Sequence, residues 1–536
     1  MKNVKILDCT LRDGGYYNNW DFSKEIVNEY LKTMSAVNIS YIEVGFRSFK
    51  SKDFKGPTWY TTDSYLDNLN IPKNLSIGVM VNAFELISHP LGFSNAAKLM
   101  FKHAKKSKVK FVRLACHFEE FNETVKICKI LKDMGYLVTI NLMQISEQTE
   151  EKIISVAKLS QKISPHVLYF ADSLGGMDPS QISSLVKTFR QHWKGALGIH
   201  AHNNLGNAIA NSLAAMALGV TWLDSTVTGM GRGPGNAQTE YLLIEMQNIK
   251  NRKVDIAPLL KLIKKHFEPM QKKYKWGTNP HYYLAGKYGI HPTYIQEMLA
   301  SDFDENEVLA AINQLKYTGG KKYNVDLVRS EFQKSTKLKK GSWSPITKIR
   351  NREVLLVASG PKANDYKHEI EKYIKTKKPF VIAMNTNICI SNNLVDIFAA
   401  CNPLKLIAYT DSYKSLTLPI AMPKSFLSDY LKKQFKNLKI LDFGVGVKEN
   451  HFKFYKTGAV IPRLYTLAYA LSIATSGNAS KILLAGLDGY GSNHKLTKRL
   501  DELFYLYSSF KDAKLVVAIT PTSYSVASVS IYALQK

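Results

Sequence analysis

The stretch VKILDCTLRDG, residues 4–14, joins a short apolar run to a polar turn, and the chain repeats this pattern up to about residue 240. Strand-like runs alternate with longer amphipathic stretches at a spacing of roughly 30 residues, which is typical of repeated βα units. Eight such units favour a closed (β/α)8 TIM barrel, with an open sheet as the alternative. The predicted strands are residues 4–8, 39–45, 75–81, 109–115, 136–142, 166–171, 196–201 and 221–226.

Polar side chains follow every one of these predicted strands. They are Asp8 and Asp13, then Glu43 and Arg47, Asn82, Arg113 and His117, Asn141 and Gln144, Asp172 and Ser173, His200, His202 and Asn203, and finally Asp224, Thr226 and Thr228. In a barrel the carboxyl ends of all strands meet at one rim, where active sites lie. Converging charges are costly unless they pair, bind a metal or meet substrate. We therefore predict a functional site at this rim.

Asp13, His200 and His202 form a candidate metal-binding set. Side chains alternate along a strand, so His200 and His202 point the same way. Two imidazoles and one carboxylate leave coordination positions open for water or substrate, as catalytic metals require. The alternative for an isolated His-x-His pattern is a pair of histidines that only form hydrogen bonds.

Composition narrows the class of protein. The formal net charge of +28 is spread along the chain without interleaved aromatics or a nucleic-acid-binding motif, so we expect no nucleic-acid partner but an attraction for small anionic substrates. No apolar run approaches the roughly 18–20 residues that span a bilayer, and no secretory leader is evident. The five scattered cysteines indicate neither disulfides nor a cysteine zinc site, which favours a cytoplasmic location.

The second half of the chain has a different organisation. We predict a barrel over residues 1–245, a helical extension over 246–316, a connecting segment over 317–352 and a Rossmann-like α/β domain over 353–536. Further strands are expected near residues 353–357, 380–384, 406–409, 481–485 and 515–519. The fold class is therefore α/β, with an N-terminal TIM barrel and a C-terminal doubly wound sheet.

Several separated motifs resemble one family. The segments DCTLRDG (8–14), IEVG (42–45) and HAHNNLG (200–206) are similar to those of metal-dependent lyases and synthases built on a TIM barrel. That family includes hydroxymethylglutaryl-CoA lyase, isopropylmalate synthase and 4-hydroxy-2-oxovalerate aldolase. The aldolase is the most similar, because VRLACHFEE (112–120) and GMGRGPGNA (229–237) also look like its segments.

The resemblance implies a metal centre. Asp13, His200 and His202 would bind a divalent cation, with Asn236 as a fourth ligand or a neighbour of the ligands, and the glycine loop before Asn236 would place it there. Mixed carboxylate and imidazole ligands suit Mn²⁺, Mg²⁺ or Zn²⁺, of which we favour Mn²⁺.

The resemblance also implies how substrate is handled. Arg12 would stabilise the keto oxygen or carboxylate of a 2-oxo acid, and Arg113, Asp172 and Ser173 would contact the substrate. An enolate formed during carbon–carbon bond cleavage is stabilised by a metal ion and a guanidinium.

The general base departs from the family pattern. The aldolase has a histidine three residues after the metal-binding aspartate, whereas this chain has Tyr16. A tyrosine with its ordinary pKa near ~10 is a poor base at neutral pH. The base is therefore open among metal-bound hydroxide and the following side chains: Tyr16, Glu43, His117, His291 and Tyr294.

A strand followed by Ala-Ser-Gly-Pro, residues 358–361, opens the C-terminal half. It faintly resembles Rossmann-like domains of sialyltransferase-like or pterin-pyrophosphokinase-like proteins, which would make Gly360 part of a nucleotide site. A simple tight turn is the alternative.

We predict a divalent-metal-dependent aldolase that acts on a 2-oxo acid such as pyruvate together with an aldehyde. The alternatives are a Claisen-type acyl-CoA synthase on the same barrel, a non-haem iron oxygenase, and a nucleotide-binding or glycosyltransfer protein whose barrel is a scaffold. Expected partners are the two small molecules, a further copy of the chain in a homo-oligomer, or an aldehyde-processing dehydrogenase.

Overall fold

Eight parallel strands close into a barrel in this computed structural model, and each strand pairs with the next along the chain, with the eighth beside the first. The structure describes residues 4–51, 53–250, 254–300, 305–318, 335–427, 429–489 and 495–535. Two compact units are present, residues 1–296 and 297–536.

The barrel strands overlap all eight predicted strands, so the prediction of a TIM barrel is confirmed. They are β1 (Lys5–Asp8), β2 (Tyr41–Phe46), β3 (Ser76–Asn82), β4 (Val109–Cys116), β5 (Leu137–Leu142), β6 (Val167–Asp172), β7 (Leu197–Ala201) and β8 (Trp222–Ser225). Strands such as β6 are buried along their whole length, which explains their almost continuous apolar sequences.

Helices alternate with the strands of the first unit. They are α1 (Thr10–Asp13), α2 (Lys24–Ala36), α3 (Pro57–Tyr60), α4 (Asp63–Asp67), α5 (Ala83–Ile87), α6 (Gly92–Met100), α7 (Phe121–Asp133), α8 (Glu150–Ile163), α9 (Pro179–His192), α10 (Ala208–Ala217) and α11 (Thr239–Lys250). Helix α2 is representative: Ser23 caps it by accepting a hydrogen bond from the Ile26 N–H, and it buries Val27, Leu31 and Met34 on one face.

A helical extension follows the barrel. Its elements are α12 (Ala257–Leu262), a π-helical turn (Ile263–Phe267), α13 (Glu268–Tyr274), α14 (Pro280–Tyr288) and α15 (Pro292–Ala300). The Trp276 indole donates a hydrogen bond to the Thr228 carbonyl at 3.1 Å, and a methyl group on Gly233 would come 3.0 Å from the Tyr282 ring. The extension therefore packs on the loop that follows β8.

The second unit contains twelve short strands among its described residues. They are β9 (Ser335–Thr336), β10 (Glu353–Val357), β11 (Phe380–Met384), β12 (Ile397–Ala399), β13 (Ile420–Ala421), β14 (Ile440–Leu441), β15 (Gly444–Lys448), β16 (Lys453–Tyr455), β17 (Gly458–Ile461), β18 (Lys481–Ala485), β19 (Val516–Ala518) and β20 (Ala527–Ser528).

Eight of these strands form a parallel sheet in the order β14-β13-β12-β11-β10-β18-β19-β20. The order reverses at β10, as it does in doubly wound sheets. Separate apolar clusters, represented by Val354 and Leu355, cover the two faces. The remaining strands form a smaller sheet in the order β16-β17-β15-β9. The C-terminal half is thus α/β, while the narrower description Rossmann-like stays a prediction.

The helices of the second unit complete its layers. They are α16 (Glu305–Thr318), α17 (Ile346–Ile349), α18 (Pro361–Asp365), α19 (Lys367–Lys377), α20 (Pro403–Ala408), α21 (Thr410–Lys414), α22 (Asp429–Gln434), α23 (Thr466–Ser476) and α24 (Lys495–Ser508). The strand predicted at 406–409 was wrong, because Leu406 and Ile407 lie in α20, where the Leu406 N–H donates to the Asn402 carbonyl. A short apolar run does not distinguish a buried strand from a buried helix.

The predicted connecting segment, 317–352, is only partly visible. Residues 319–334 lie outside the described part of the chain. Beyond them, Thr336 pairs with Val447 of β15, and the Trp343 N–H donates to the Asp442 carbonyl at 2.9 Å. Residues from 335 onward therefore belong to the second unit. Within the described residues no helix has both the length and the apolar character needed to cross a membrane.

Glu240, at the start of α11, is a buried carboxyl group. Burial raises its pKa from 4.5 to about 7, although the Thr228 N–H donates a hydrogen bond to it at 3.0 Å. The folded state therefore holds this proton more tightly than the unfolded chain. The resulting stabilisation is fully present below pH 4.5 and is lost as pH rises through about 7.

Glu240→Gln removes the charge and keeps an acceptor oxygen. We expect calorimetry of the metal-free protein to show a higher unfolding temperature for the variant than for wild type at pH 8, and little difference at pH 4. The expected gain in the free energy of unfolding at pH 8 is at most about 3 kcal/mol. Glu502→Gln, at an exposed position, is the control. Equal unfolding temperatures at pH 8 would contradict the buried-carboxyl explanation.

Candidate active site

Three segments that are far apart in the sequence meet at one rim of the barrel. Asp13 ends helix α1 just after β1, while His200 lies in β7 and His202 follows its end. The backbone of His202 pairs with that of Asn236, on the loop after β8. The closed barrel thereby brings the four predicted metal-binding residues together.

The side-chain geometry of this group suits one cation. Ligand atoms of Asp13, His200 and His202 all lie within 4.8 Å of one another, and Asp13 Oδ2 is 3.6 Å from His200 Nε2. The Asn236 amide nitrogen donates a hydrogen bond to Asp13 Oδ2. His202 Nδ1 and Asn236 Oδ1 are buried and have no hydrogen-bond partner among the residues that the structure describes. A divalent ion would give these orphaned acceptors a partner.

The protonation states also suit a metal. Burial, followed by the neighbouring His200, lowers the pKa of His202 to about 3, so its imidazole is neutral. Burial alone would raise the pKa of Asp13, but Arg12 and the two histidines hold it well below its ordinary value. Neutral imidazoles and a charged carboxylate are the forms that coordinate metal ions.

His200 is oriented by Asp224, which lies in the neighbouring strand β8. His200 Nδ1 lies 2.8 Å from Asp224 Oδ2. Burial alone would raise the pKa of Asp224, yet Arg113 holds it below its ordinary value, so the carboxylate accepts and Nδ1 donates. His200 Nε2 then faces Asp13 Oδ2 at 3.6 Å, as in metal sites whose histidines are fixed by a carboxylate.

Behind these residues lies a row of buried ion pairs, which we name the charge chain. Arg113 bonds Asp224 with both terminal nitrogens, at 2.5 and 2.9 Å. Arg113 Nε is 2.9 Å from Glu43, and Arg12 Nε donates to the other Glu43 oxygen at 2.7 Å. Arg12 Nη1 donates to Asp13 at 2.7 Å. The members in order are Asp13, Arg12, Glu43, Arg113, Asp224 and His200.

Two of the predicted site residues, Glu43 and Arg113, are already bonded to other members of the charge chain. Both carboxylate oxygens of Glu43, a candidate base, lie in ion pairs with guanidinium groups. Arg113, a candidate substrate ligand, is fully buried and lies 4.2 Å from the Tyr169 ring. Arg12 differs, because its Nη2 is buried and no described residue forms a hydrogen bond with it. Arg12 is thus the member with a donor left for a ligand.

Two further predicted substrate contacts shape the rim. Asp172 accepts hydrogen bonds from the backbone N–H groups of Gly176 and Met177, and burial raises its pKa to about 6. Ser173 Oγ accepts a hydrogen bond from the Gln144 N–H at 2.9 Å. Both side chains hold loops of the rim in place.

The remaining base candidates are spread over the mouth of the barrel. Tyr16 is 39% exposed and packs edge-on against Trp20. His117 begins the turn after β4, where its N–H bonds Glu120. His291 and Tyr294 are buried in the extension, and burial with the charge of Arg232 lowers the pKa of His291 to about 3. Among the described residues neither Tyr16 nor His117 makes a hydrogen bond or an ion pair with Asp13.

The glycine loop after β8 approaches the metal group closely. A methyl group on Gly231 would come 2.5 Å from the Asn236 amide nitrogen and 3.1 Å from Asp13 Oδ2. Gly235 has φ +76°, and its added methyl group would clash with the Gly229 carbonyl. Only glycine permits this loop to lie against the ligands.

Other groups of potential ligands fit a metal less well. Cys9, His200 and Asp224 lie together, but Asp224 is already bonded by Arg113, and burial raises the pKa of the Cys9 thiol well above its ordinary value. On the surface, Glu29 near His266 is instead paired with Lys265 at 2.5 Å.

Gly360, the predicted nucleotide contact, lies where β10 meets α18 in the second unit. Its N–H donates to the Gly486 carbonyl at 2.9 Å, and an added methyl group would meet that oxygen at 2.3 Å. The Asp488 carboxylate accepts the Lys362 N–H at 2.6 Å, at the start of the helix. An acidic side chain thus takes an amide that a phosphate would use, and the nucleotide site stays a prediction.

Comparison with known proteins agrees with the barrel and its motifs. The family profile described as HMGL-like matches residues 3–264. The N-terminal half of the chain belongs to the HMGL-like family. Its membership explains why the Arg-Asp motif of β1 and the His-x-His motif of β7 occur together, as the resemblance predicted.

Relatives of this HMGL-like half include proteins named 4-hydroxy-2-oxovalerate aldolase. One from Carboxydothermus hydrogenoformans is 28% identical over 63% of this chain and 99% of its own length. Another from Bacillus cereus is 25% identical over 62% of this chain and 96% of its own. The solved N-terminal domain of a candidate aldolase from Bacteroides vulgatus is 33% identical, with a TM-score of 0.51, over 56% of this chain and 98% of that one.

Sequence reasoning gave no role to two residues of the HMGL-like site. Asp224 was recognised only as a polar strand end, although it orients His200. Arg232 was read as part of a glycine turn, although its guanidinium lies 5.3 Å from the Tyr16 ring. Strand-end position could have indicated Asp224, but its partner Arg113 comes from a distant strand.

Removing Arg113 tests the charge chain. Arg113→Met would leave Asp224 and Glu43 buried with one cation fewer, so we expect the free energy of unfolding to fall by about 3–5 kcal/mol. Urea denaturation of the metal-free protein, followed by tryptophan fluorescence, measures the loss. Arg463→Met is the control, because Arg463 is half exposed and 4.0 Å from Glu449, and it should cost less than about 1 kcal/mol. Equal losses would contradict a structural role for Arg113.

Proposed function

We propose that the HMGL-like half is a divalent-metal-dependent aldolase, a carbon–carbon lyase that acts on a 2-oxo acid. The observation that carries the proposal is the convergence of Asp13, His200 and His202, with the His202 imidazole neutral and the Asp13 carboxylate charged. The aldolase names of the relatives that align with this half support the same reaction class. Pyruvate and an aldehyde are the products that we expect from cleavage.

The proposed cleavage follows a retro-aldol course. A base removes the proton from the hydroxyl group on C4, the C3–C4 bond breaks, and the aldehyde leaves as the electron pair moves to the keto group as an enolate. Protonation at C3 then releases the 2-oxo acid. A bound divalent cation would supply Lewis-acid stabilisation of the enolate oxygen.

Arg12 supplies the protein's own stabilisation of that oxygen. Its Nε and Nη1 are held by Glu43 and Asp13, so the guanidinium is fixed before substrate arrives. Burial alone would lower the pKa of Arg12, but the two carboxylates raise it well above its ordinary value and keep the group charged. The unpartnered Nη2 is then a preorganised donor for an oxyanion.

The base is assigned by position among the predicted candidates. Glu43 is unsuitable, since both of its oxygens lie in ion pairs. Tyr16 is the candidate at the mouth whose side chain is partly exposed and follows the Asp13 motif directly. Among the side chains we therefore propose Tyr16 ahead of His117, His291 and Tyr294, with metal-bound hydroxide as the alternative base.

Substitution of Asp13 tests the function. Asp13→Asn keeps the shape of the side chain but removes the charged ligand, so we expect pyruvate release from a 4-hydroxy-2-oxo acid to fall by at least about 100-fold in manganese-reconstituted protein. Asp411→Asn, whose side chain is 97% exposed, is the matched control. The unfolding temperature should remain near that of wild type.

Two results would contradict the proposal. Full activity of Asp13→Asn would exclude a metal bound by this carboxylate. Thiol release from acetyl-CoA, without pyruvate release from any 4-hydroxy-2-oxo acid, would indicate the Claisen-type synthase.

Manganese should restore the activity of the chelated enzyme better than magnesium or zinc. We also propose a dehydrogenase that consumes the aldehyde as the partner of the enzyme.

A further inference from the structure

Arg232 lies on the glycine loop between Gly229 and Asn236. Its side chain is partly buried, and its guanidinium lies 5.3 Å from the centre of the Tyr16 ring. It makes no hydrogen bond and no ion pair with any residue that the structure describes. A partly desolvated cation without an anionic partner is unusual in a rim so rich in carboxylates.

Other arginines of the same rim already bond oxygen atoms of neighbouring residues. Arg47 bonds the Thr61 carbonyl and lies 3.2 Å from Asp63. Arg113 is bonded by two carboxylates, and two of the three Arg12 nitrogens are bonded. Arg232 is therefore the arginine of this group whose whole hydrogen-bonding edge is available to a ligand.

The loop holds Arg232 close to the candidate metal group. The neighbouring Gly231 packs so tightly that an added methyl group would lie 3.1 Å from Asp13 Oδ2. On the other side of Arg232, Gly233 packs against Tyr282 of the extension, so Arg232 lies between a residue that borders the metal group and one that borders the extension. A substrate bound at the metal group would lie beside this guanidinium.

The surroundings hold Arg232 in place without neutralising it. The Tyr17 hydroxyl donates to the Gly233 carbonyl at 3.2 Å, and Tyr282 packs against the same glycine. The Tyr16 ring supports the guanidinium through a cation–π contact, which leaves the N–H groups free to bond. A planar guanidinium held in this way matches a carboxylate or phosphate with two parallel hydrogen bonds.

We propose that Arg232 binds an oxyanion of the substrate, a carboxylate or a phosphate, and so restricts the enzyme to acidic substrates. The inference rests on the proposed aldolase function and deepens it by naming a specificity residue. Two sources share this chemistry: the carboxylate of the 2-oxo acid and an acidic group on the aldehyde. Neither Arg12 nor Arg113 offers a comparable free edge, since carboxylates already hold them.

Binding of small anions tests the proposal without turnover. Manganese-loaded wild type, Arg232→Gln and Arg232→Lys are titrated by calorimetry with pyruvate, glyoxylate and inorganic phosphate. Arg350→Gln, at an exposed arginine of the second unit, is the matched control. We expect Arg232→Gln to weaken the binding of at least one anion by about 10- to 100-fold. Arg232→Lys should be intermediate, because it keeps the charge but loses the planar guanidinium that forms two parallel hydrogen bonds.

Kinetics then distinguish the two sources of the anion. Pyruvate is condensed with propanal, which is neutral, and with succinic semialdehyde, which is acidic. If Arg232 binds the 2-oxo acid, Arg232→Gln raises the KM of pyruvate with both aldehydes. If it binds the aldehyde, only the KM of succinic semialdehyde rises. In both cases the rise in KM should exceed any fall in kcat, because Arg232 is proposed to bind the substrate and not to break the carbon–carbon bond.

The proposal and the aldolase function can fail separately. Wild-type protein that neither makes nor breaks a carbon–carbon bond would refute the aldolase function. If that protein still bound anions, and if binding depended on Arg232, the anion site would be supported. Arg232→Gln indistinguishable from Arg350→Gln for every anion and both aldehydes would overturn the anion site. Arg232 makes a cation–π contact with Tyr16 but no hydrogen bond or ion pair with any described residue. The unfolding temperature of Arg232→Gln should therefore stay close to that of the control, so that a lost affinity reports binding.

Discussion

Five alternating charges buried inside a closed barrel, with His200 bonded to the last of them, are the constraint on which the rest of this structure depends. Desolvating a single carboxylate or guanidinium costs several kcal/mol, and only good geometry offsets that cost. Here each inner member contacts opposite charges on both sides, as Glu43 does with Arg12 and Arg113. The members come from β2, β4, β7, β8 and the helix after β1. The strand register must therefore be correct before any of these charges is compensated.

The charge chain links stability to chemistry through its two ends. At one end Asp224 fixes His200 so that Nε2 faces the candidate metal position. At the other end Asp13 is kept ionised by Arg12. Both candidate ligands are thus prepared by the same buried network. The glycine loop completes the site, because Gly231 has no side chain and so lets Asn236 lie against Asp13.

Much of this arrangement could be predicted from the sequence. The βα rhythm located all eight barrel strands, and strand alternation placed His200 and His202 on one face. Pattern could not reveal which charges neutralise one another, because Arg113 and Asp224 are 111 residues apart and meet only through barrel closure. For the same reason Glu43 looked like a free base. Next to Gly360, the Lys362 amide bonds Asp488, which comes 126 residues later and follows a different strand.

The helical extension shows a second limit of sequence reasoning. Its helices were expected, but the way they pack on the glycine loop depends on tertiary contacts such as the hydrogen bond from Trp276 to Thr228. Those contacts confine Arg232 to the mouth of the barrel, where its charge remains unpaired among the described residues. A turn motif gives the position of such a residue along the chain but not what surrounds it.

Anomalous diffraction at the manganese edge from manganese-loaded crystals tests the central claim most directly. The account predicts one peak about 2.0–2.3 Å from an oxygen of Asp13 and from one nitrogen each of His200 and His202, with His200 Nδ1 still bonded to Asp224. A peak between Cys9 and Asp224 that breaks the Arg113 ion pair, or no peak at this rim at full loading, would contradict it.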